Sequence, residues 1–181
     1  TAKDRGVSVV TEVELALPFL SEPLIAVTGT NGKTTVTLLV EHILNTSGIC
    51  AKAVGNVGVP LCSYVLTSKK AEVLVVELSS FQLETLSSSV FDQAVILNIA
   101  LDHLDRYPDV ETYARAKLRL QNCIKEKGSL FIHEKVIERF GFLFEKKEYQ
   151  TLGFYQKDLE CFSSVLYREC PEHERENIRA A

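Results

Sequence analysis

No apolar run in the 181-residue sequence approaches the roughly 20 residues needed to span a bilayer, and the N-terminus lacks the basic-then-apolar layout of an export signal. A soluble, cytoplasmic protein without membrane contact is expected. No two cysteines are spaced C-x-x-C, and Cys50, Cys62, Cys123, Cys161 and Cys170 are odd in number. Neither a zinc site nor a disulfide framework is suggested, which suits a reducing compartment. No basic stripe exists either: the net charge is -4 and the lysines and arginines are scattered, so nucleic acid is excluded as a partner class. The absence of a G-x-G-x-x-G turn argues against a dinucleotide oxidoreductase. No internal repeat or low-complexity tract appears. There is no methionine and the first residue is Thr1, so a piece of a longer protein is expected.

What remains is an ordinary globular composition, with 46% hydrophobic and 24% charged residues, long enough for one well-buried, monomeric domain. Leu24–Val27 is a short apolar run that leads into Thr28-Gly29-Thr30-Asn31-Gly32-Lys33-Thr34-Thr35. Val36, Leu39, Val40, Ile43 and Leu44 then recur at helical spacing, so strand, loop and helix follow in order. Strands are predicted at 49–54, 73–78 and 94–99, with helices at 61–66 and 79–87. Asp109 after Pro108 is placed to cap a helix over 110–125. Beyond Gly128 the pattern gives strands at 129–132, 150–154 and 159–167 and a helix at 135–144. Alternating strands and helices predict an α/β fold, a mostly parallel sheet flanked by helices.

Four features carry chemistry. In the glycine loop, successive backbone N–H groups can wrap phosphate oxygens, Lys33 can reach the terminal phosphates and the Thr34 hydroxyl can ligate magnesium. Val27 stands where the general G-x-x-x-x-G-K-[ST] pattern has its first glycine. Glu77 falls at the end of a buried strand, the edge where parallel sheets place ligands; an isolated acid there would be solvated, but beside a phosphate loop a metal role is favoured. His103, in Asp102-His103-Leu104-Asp105, follows the next strand toward the same edge, and solvated and functional readings stand even. Lys117 shares a helical face with Val110, Tyr113, Ala114 and Gln121. From spacing alone, its stem covers apolar surface while the ammonium reaches water.

The run Val27-Thr28-Gly29-Thr30-Asn31-Gly32-Lys33-Thr34-Thr35 resembles the ATP loop of the Mur ligases and folylpolyglutamate synthases, which use this shortened spacing. Glu77-Leu78-Ser79-Ser80-Phe81-Gln82-Leu83-Glu84, Asp102-His103-Leu104-Asp105-Arg106-Tyr107 and Ala116-Lys117-Leu118-Arg119 are similar to the D-glutamate-adding branch of the Mur ligase family. The likeness runs from about Gly6 to the C-terminus and is strongest over 24–120. It implies a P-loop NTPase-like central domain spanning 1–181 and truncated at its C-terminal end. The family's N-terminal uridine-binding and C-terminal amino-acid-binding domains are absent from the sequence.

The resemblance also implies roles. Gly29, Thr30, Asn31, Gly32, Lys33, Thr34 and Thr35 would hold the ATP phosphates, Thr34 and Glu77 a first magnesium ion, and His103 a second. Lys117 falls where the family carries a carbamylated lysine serving the metal site, which reverses the reading from spacing. Asn56 and Ser79 match positions near the muramoyl substrate. His173-Glu174-Arg175-Glu176-Asn177-Ile178-Arg179-Ala180-Ala181 is similar to a family segment that contacts adenine; Glu174 replaces its first asparagine, which leaves Asn177 as the adenine contact. The implied activity is ATP-dependent amide-bond formation in peptidoglycan synthesis, with UDP-N-acetylmuramoyl-L-alanine and D-glutamate as substrates. Phe81-Gln82-Leu83-Glu84 argues against a folylpolyglutamate synthase. A P-loop module without ligase activity would have no need of His103 and Lys117.

Overall fold

A computed structural model of the chain describes residues 3–67, 70–100, 106–145, 150–152 and 177. Strands β1 (Leu24–Thr28), β2 (Ala51–Gly55), β3 (Val73–Glu77), β4 (Phe91–Ile96), β5 (Ile124–His133) and β6 (Gln150–Leu152) form one sheet in the order β2-β3-β1-β4-β5-β6. All five pairings are parallel. The helices are α1 (Glu12–Ala16), α2 (Lys33–Thr46), α3 (Leu61–Val65), α4 (Ser80–Leu83), α5 (Val110–Leu118) and α6 (Glu134–Phe140). Among the described residues no helix is long and apolar enough to cross a membrane.

Successive side chains of a strand point to opposite faces, and the central strands divide their apolar residues accordingly. Ala26, Leu74, Val76, Ala94 and Ile96 enter the larger core, together with Leu83, Tyr113 and Leu118. Val27, Val75 and Val95 enter a smaller one, closed by Val36, Val40 and Leu44 of α2 at intervals of about one helical turn. Both faces of β3 are covered, and Leu74, Val75 and Val76 are completely buried, which is why this strand reads as a continuous apolar run. Helix α2 also seals the exposed side of β2. Glu41 accepts from Ala53 N at 2.9 Å, and the Asn45 amide both accepts from Ala51 N and donates to Ala51 O. Those side chains occupy the backbone groups that another strand would pair with.

Several boundaries differ from the expectations. The helix expected over 79–87 is only Ser80–Leu83, and the one expected over 110–125 ends at Leu118, followed by a 3-10 turn at Arg119–Cys123. Strand β5 begins at Ile124, ahead of the strand expected at 129–132, and runs through Gly128. Ile124 pairs with Phe91 and Ser129 with Gln93, so β5 bulges between the two pairs. A Cβ on Gly128 would lie 2.8 Å from Asp92 O and 2.9 Å from Phe91 O, so this glycine permits backbone contact rather than ending an element. Helix α1, five residues burying Val13 and Ala16, is too short to give a periodic signal. The strand expected at 159–167, and residues 153–154 of the one expected at 150–154, lie outside the described residues.

The bulge makes a stability prediction. Gly128→Ala should lower unfolding free energy by about 1–3 kcal/mol through overpacking against two backbone carbonyls. Urea denaturation measures it, and an unchanged midpoint would mean that the strands separate there without penalty.

Candidate active site

The order β3-β1-β4 places β1 between two parallel neighbours reached by crossovers on either side, and the carboxyl ends of these strands meet at one edge. Such an edge is where parallel sheets bind ligands. The loop from Gly29 to Gly32 leaves β1 there and enters α2 at Lys33. Gly32 adopts φ 80°, a left-handed conformation that glycine takes without steric cost. The helix start has no side-chain cap and no acidic residue in its first turn. Its N–H groups and dipole are thus presented to an anion. The Lys33 amine folds back and donates to Thr30 O at 2.9 Å.

Glu77, at the end of β3, is 1% exposed. Its Oε2 accepts from the Thr34 hydroxyl at 2.8 Å and its Oε1 from the Asn56 amide at 2.8 Å. The Asn56 backbone N–H also donates to Glu77 O at 3.0 Å, which fixes the end of β2 against the end of β3. A buried carboxyl group needs such partners, and here they come from α2 and from the turn after β2. The hydroxyl and carboxyl oxygens are the hard donors that magnesium prefers, and 2.8 Å is close enough for one ion to touch both. Among the described residues no cluster of three or more His, Cys, Asp or Glu could hold a metal. An ion here would therefore complete its shell with water and ligand phosphate oxygens.

Lys117 does not snorkel. It is 1% exposed, its amine donates to Gly29 O at 2.7 Å, and it lies 4.8 Å from the centre of the Tyr113 ring. The reading from spacing placed the ammonium in water; the helix instead turns that face toward the phosphate loop, so the stem leads inward. The Tyr113 hydroxyl is 3.3 Å from that of Thr30. Downstream, Glu84 accepts from Arg106 at 2.6 Å and from the Tyr107 hydroxyl, while Arg106 lies over the Phe81 ring. Burial and the neighbouring carboxylate push the Tyr107 phenol up.

Of the other expected site residues, Ser79 caps α4. Its hydroxyl accepts from Gln82 N at 3.3 Å, and its own N–H donates to the Gln82 side chain at 2.8 Å. Asn177 sits against the loop: a Cβ on Gly32 would fall 2.1 Å from Asn177 Oδ1. His103 lies outside the described residues. One residue that sequence reasoning missed is Asn98, whose side chain bonds both Thr30 and Asn31 of the loop. The available signal was an asparagine near the end of an apolar run that leads to the loop's edge, two residues past the end of β4.

Residues 27–168 match the Mur ligase middle domain. The chain belongs to the Mur ligase family. It is 47% identical over 142 residues to a UDP-N-acetylmuramoylalanine--D-glutamate ligase of Protochlamydia amoebophila, an alignment covering 78% of this chain and 32% of that protein. It is 50% identical over 119 residues to the ligase of the same name from Desulfatibacillum aliphaticivorans, covering 66% of this chain and 26% of that one. The chain thus spans about a third or less of the length of these Mur ligase relatives. Among solved structures, the MurF ligase of Thermotoga maritima in complex with ADP superposes with TM-score 0.59 at 21% identity, over 76% of this chain and 34% of that chain. FolC of E. coli in complex with DHPP and ADP gives TM-score 0.56 at 18% identity, over 79% and 46%. At these identities the likeness is one of fold.

The contact between Asn56 and Glu77 can be tested by stability alone. Asn56→Ala should cost about 1–3 kcal/mol by leaving one Glu77 oxygen unpaired, and Asn56→Asp should cost more through like-charge contact. Urea denaturation at neutral pH checks both, and wild-type stability in either variant would show that the bond contributes nothing.

Proposed function

We propose that this chain is the nucleotide-binding middle domain of a cytoplasmic ligase of peptidoglycan synthesis, which joins D-glutamate to UDP-N-acetylmuramoyl-L-alanine at the expense of ATP. The observation that carries the reading is the uncapped start of α2, with Lys33 above the loop and the Thr34–Glu77 pair beside it. The names of the relatives at 47% and 50% identity supply the substrates. Parts of the longer relatives beyond this region would hold the uridine nucleotide and the amino acid. The complete enzyme works as a monomer.

In this reading the substrate carboxylate attacks the γ-phosphate of ATP, ADP leaves, and the amine of D-glutamate displaces phosphate from the acyl phosphate to form the amide. Loop N–H groups and Lys33 neutralise the phosphates that an anionic nucleophile must approach. Magnesium, held by Thr34 and Glu77, with His103 toward a second ion, would add positive charge at the same place. Glu77 orients the Thr34 hydroxyl, Asn56 holds Glu77 and faces the muramoyl side with Ser79, and Asn177 lies toward the adenine. Lys117, carbamylated, would supply an anion to the metals from its position under Gly29.

Calorimetric titration of this chain with Mg-ATP is expected to show binding that Lys33→Ala abolishes; equal binding by both would remove the loop from the argument. The complete ligase should release phosphate with UDP-N-acetylmuramoyl-L-alanine and D-glutamate, while this chain alone forms no amide. Preference for another amino acid would overturn the substrate assignment. In the complete ligase, Lys117→Ala should lower turnover by about a hundredfold or more, on the scale of losing a key electrostatic group. Short-chain carboxylic acids should partly restore it and leave Lys33→Ala unchanged, since that variant lacks a cation. Near-normal turnover in Lys117→Ala would exclude the carbamate role.

A further inference from the structure

The N–H groups of the phosphate loop are not all available to a ligand. Parallel pairing between β1 and β4 continues past the strand ends, with Leu97 N donating to Thr28 O and Thr30 N to Asn98 O, both at 2.9 Å. The Asn98 side chain then acts as one more peptide group in that ladder. Its Oδ1 accepts from Thr30 N at 3.1 Å and from Asn31 N at 2.9 Å, and its Nδ2 donates to Asn31 O at 3.0 Å. A single amide thus holds both the N–H and the C=O of Asn31. Beyond it, the helix start from Gly32 has no side-chain cap.

We propose that Asn98 is a positioning residue that divides the loop into a braced half, Thr30–Asn31, and a presenting half, Gly32–Thr35, whose N–H groups alone receive nucleotide phosphate. This deepens the nucleotide-binding reading above and rests on it. The physical reason is preorganisation. Four consecutive N–H groups converge on one anion only if the chain before them is fixed, and a loop of this length has few internal bonds with which to fix itself. Asn98 supplies the fixing from the neighbouring strand and withholds two donors in doing so.

The experiment is amide hydrogen exchange by NMR on the isotope-labelled chain, with Mg-ADP affinity measured by calorimetry. In Asn98→Ala, exchange at Asn31 should quicken about tenfold or more, while Thr30, which keeps its bond to the backbone carbonyl of residue 98, and Val75 and Val76 in β3 stay protected, and Mg-ADP should bind about tenfold more weakly. Asn98→Asp keeps an acceptor oxygen and should restore protection of the Asn31 amide. In wild type saturated with Mg-ADP, the amide signals of Gly32, Lys33, Thr34 and Thr35 should move, while Thr30 and Asn31 remain bonded to Asn98. Unchanged exchange at Asn31 in folded Asn98→Ala, unchanged Mg-ADP affinity there, or phosphate bonds to the Thr30 or Asn31 amide would each overturn the proposal. Should Asn98→Ala not fold, Asn98→Asp and the saturated wild type decide between the same outcomes. A wild-type chain that ignores Mg-ADP would sink the nucleotide reading instead, and the exchange pattern would still decide whether Asn98 braces the loop.

Discussion

A carboxyl group with almost no solvent contact must find its hydrogen bonds within the protein, and Glu77 finds them on two other elements. One oxygen takes the hydroxyl of Thr34, which requires α2 to start beside the end of β3. The other takes the amide of Asn56, which requires β2 to end there too. Neither demand can be met unless β1, β2 and β3 are parallel and in register. Their pairings meet that condition: Val27 and Gly55 both lie opposite Glu77. The group suited to a metal is therefore also the tie that draws three segments to one edge.

The other side of β1 is held by a second set of contacts. Asn98 and the backbone around it fasten the loop to β4, and Lys117 with Tyr113 fastens it to α5. Around the loop, a carboxyl group and a lysine amine thus come from opposite sides, Glu77 from β3 and Lys117 from α5. The large core beneath α5 excludes water from the Lys117 amine, which strengthens its contact with Gly29 O compared with a surface bond.

What could be read from the sequence follows from how local each cause is. Strands β1 and β3 were legible because burial on both faces leaves an unbroken apolar run, and α2 because its stripe meets one sheet face; β4, expected at 94–99, lies at Phe91–Ile96 because it opens on the polar pair Asp92-Gln93. The loop and Glu77 were legible because their chemistry depends on a strand end, which the run itself marks. Lys117 was misread from spacing because helical periodicity gives a face and not what lies opposite it; that partner, Gly29, is 88 residues away. Asn98 was missed for the same reason, since its partners are 67 and 68 residues distant. The start of β5 was missed because Lys125-Glu126-Lys127-Gly128 carries no apolar pattern, and only the approach of Asp92 and Phe91 to Gly128 shows the strand passing through it.

The unusual loop spacing has a physical account in these contacts. Where the general phosphate loop has its first glycine, this chain has Val27, fully buried and paired to Glu77 on one side and Val95 on the other. The strand continues to Thr28, whose hydroxyl donates to Leu78 O at 2.8 Å, so the turn begins later and has fewer residues in which to complete itself. Fewer residues mean fewer bonds of the loop to itself, and the deficit is made up from outside. Lys117 binds the carbonyl of Gly29, Asn98 binds Thr30 and Asn31, and Lys33 returns to the carbonyl of Thr30. A shorter loop is thus a loop whose shape is set by its neighbours, and that links the phosphate cradle mechanically to β4 and α5.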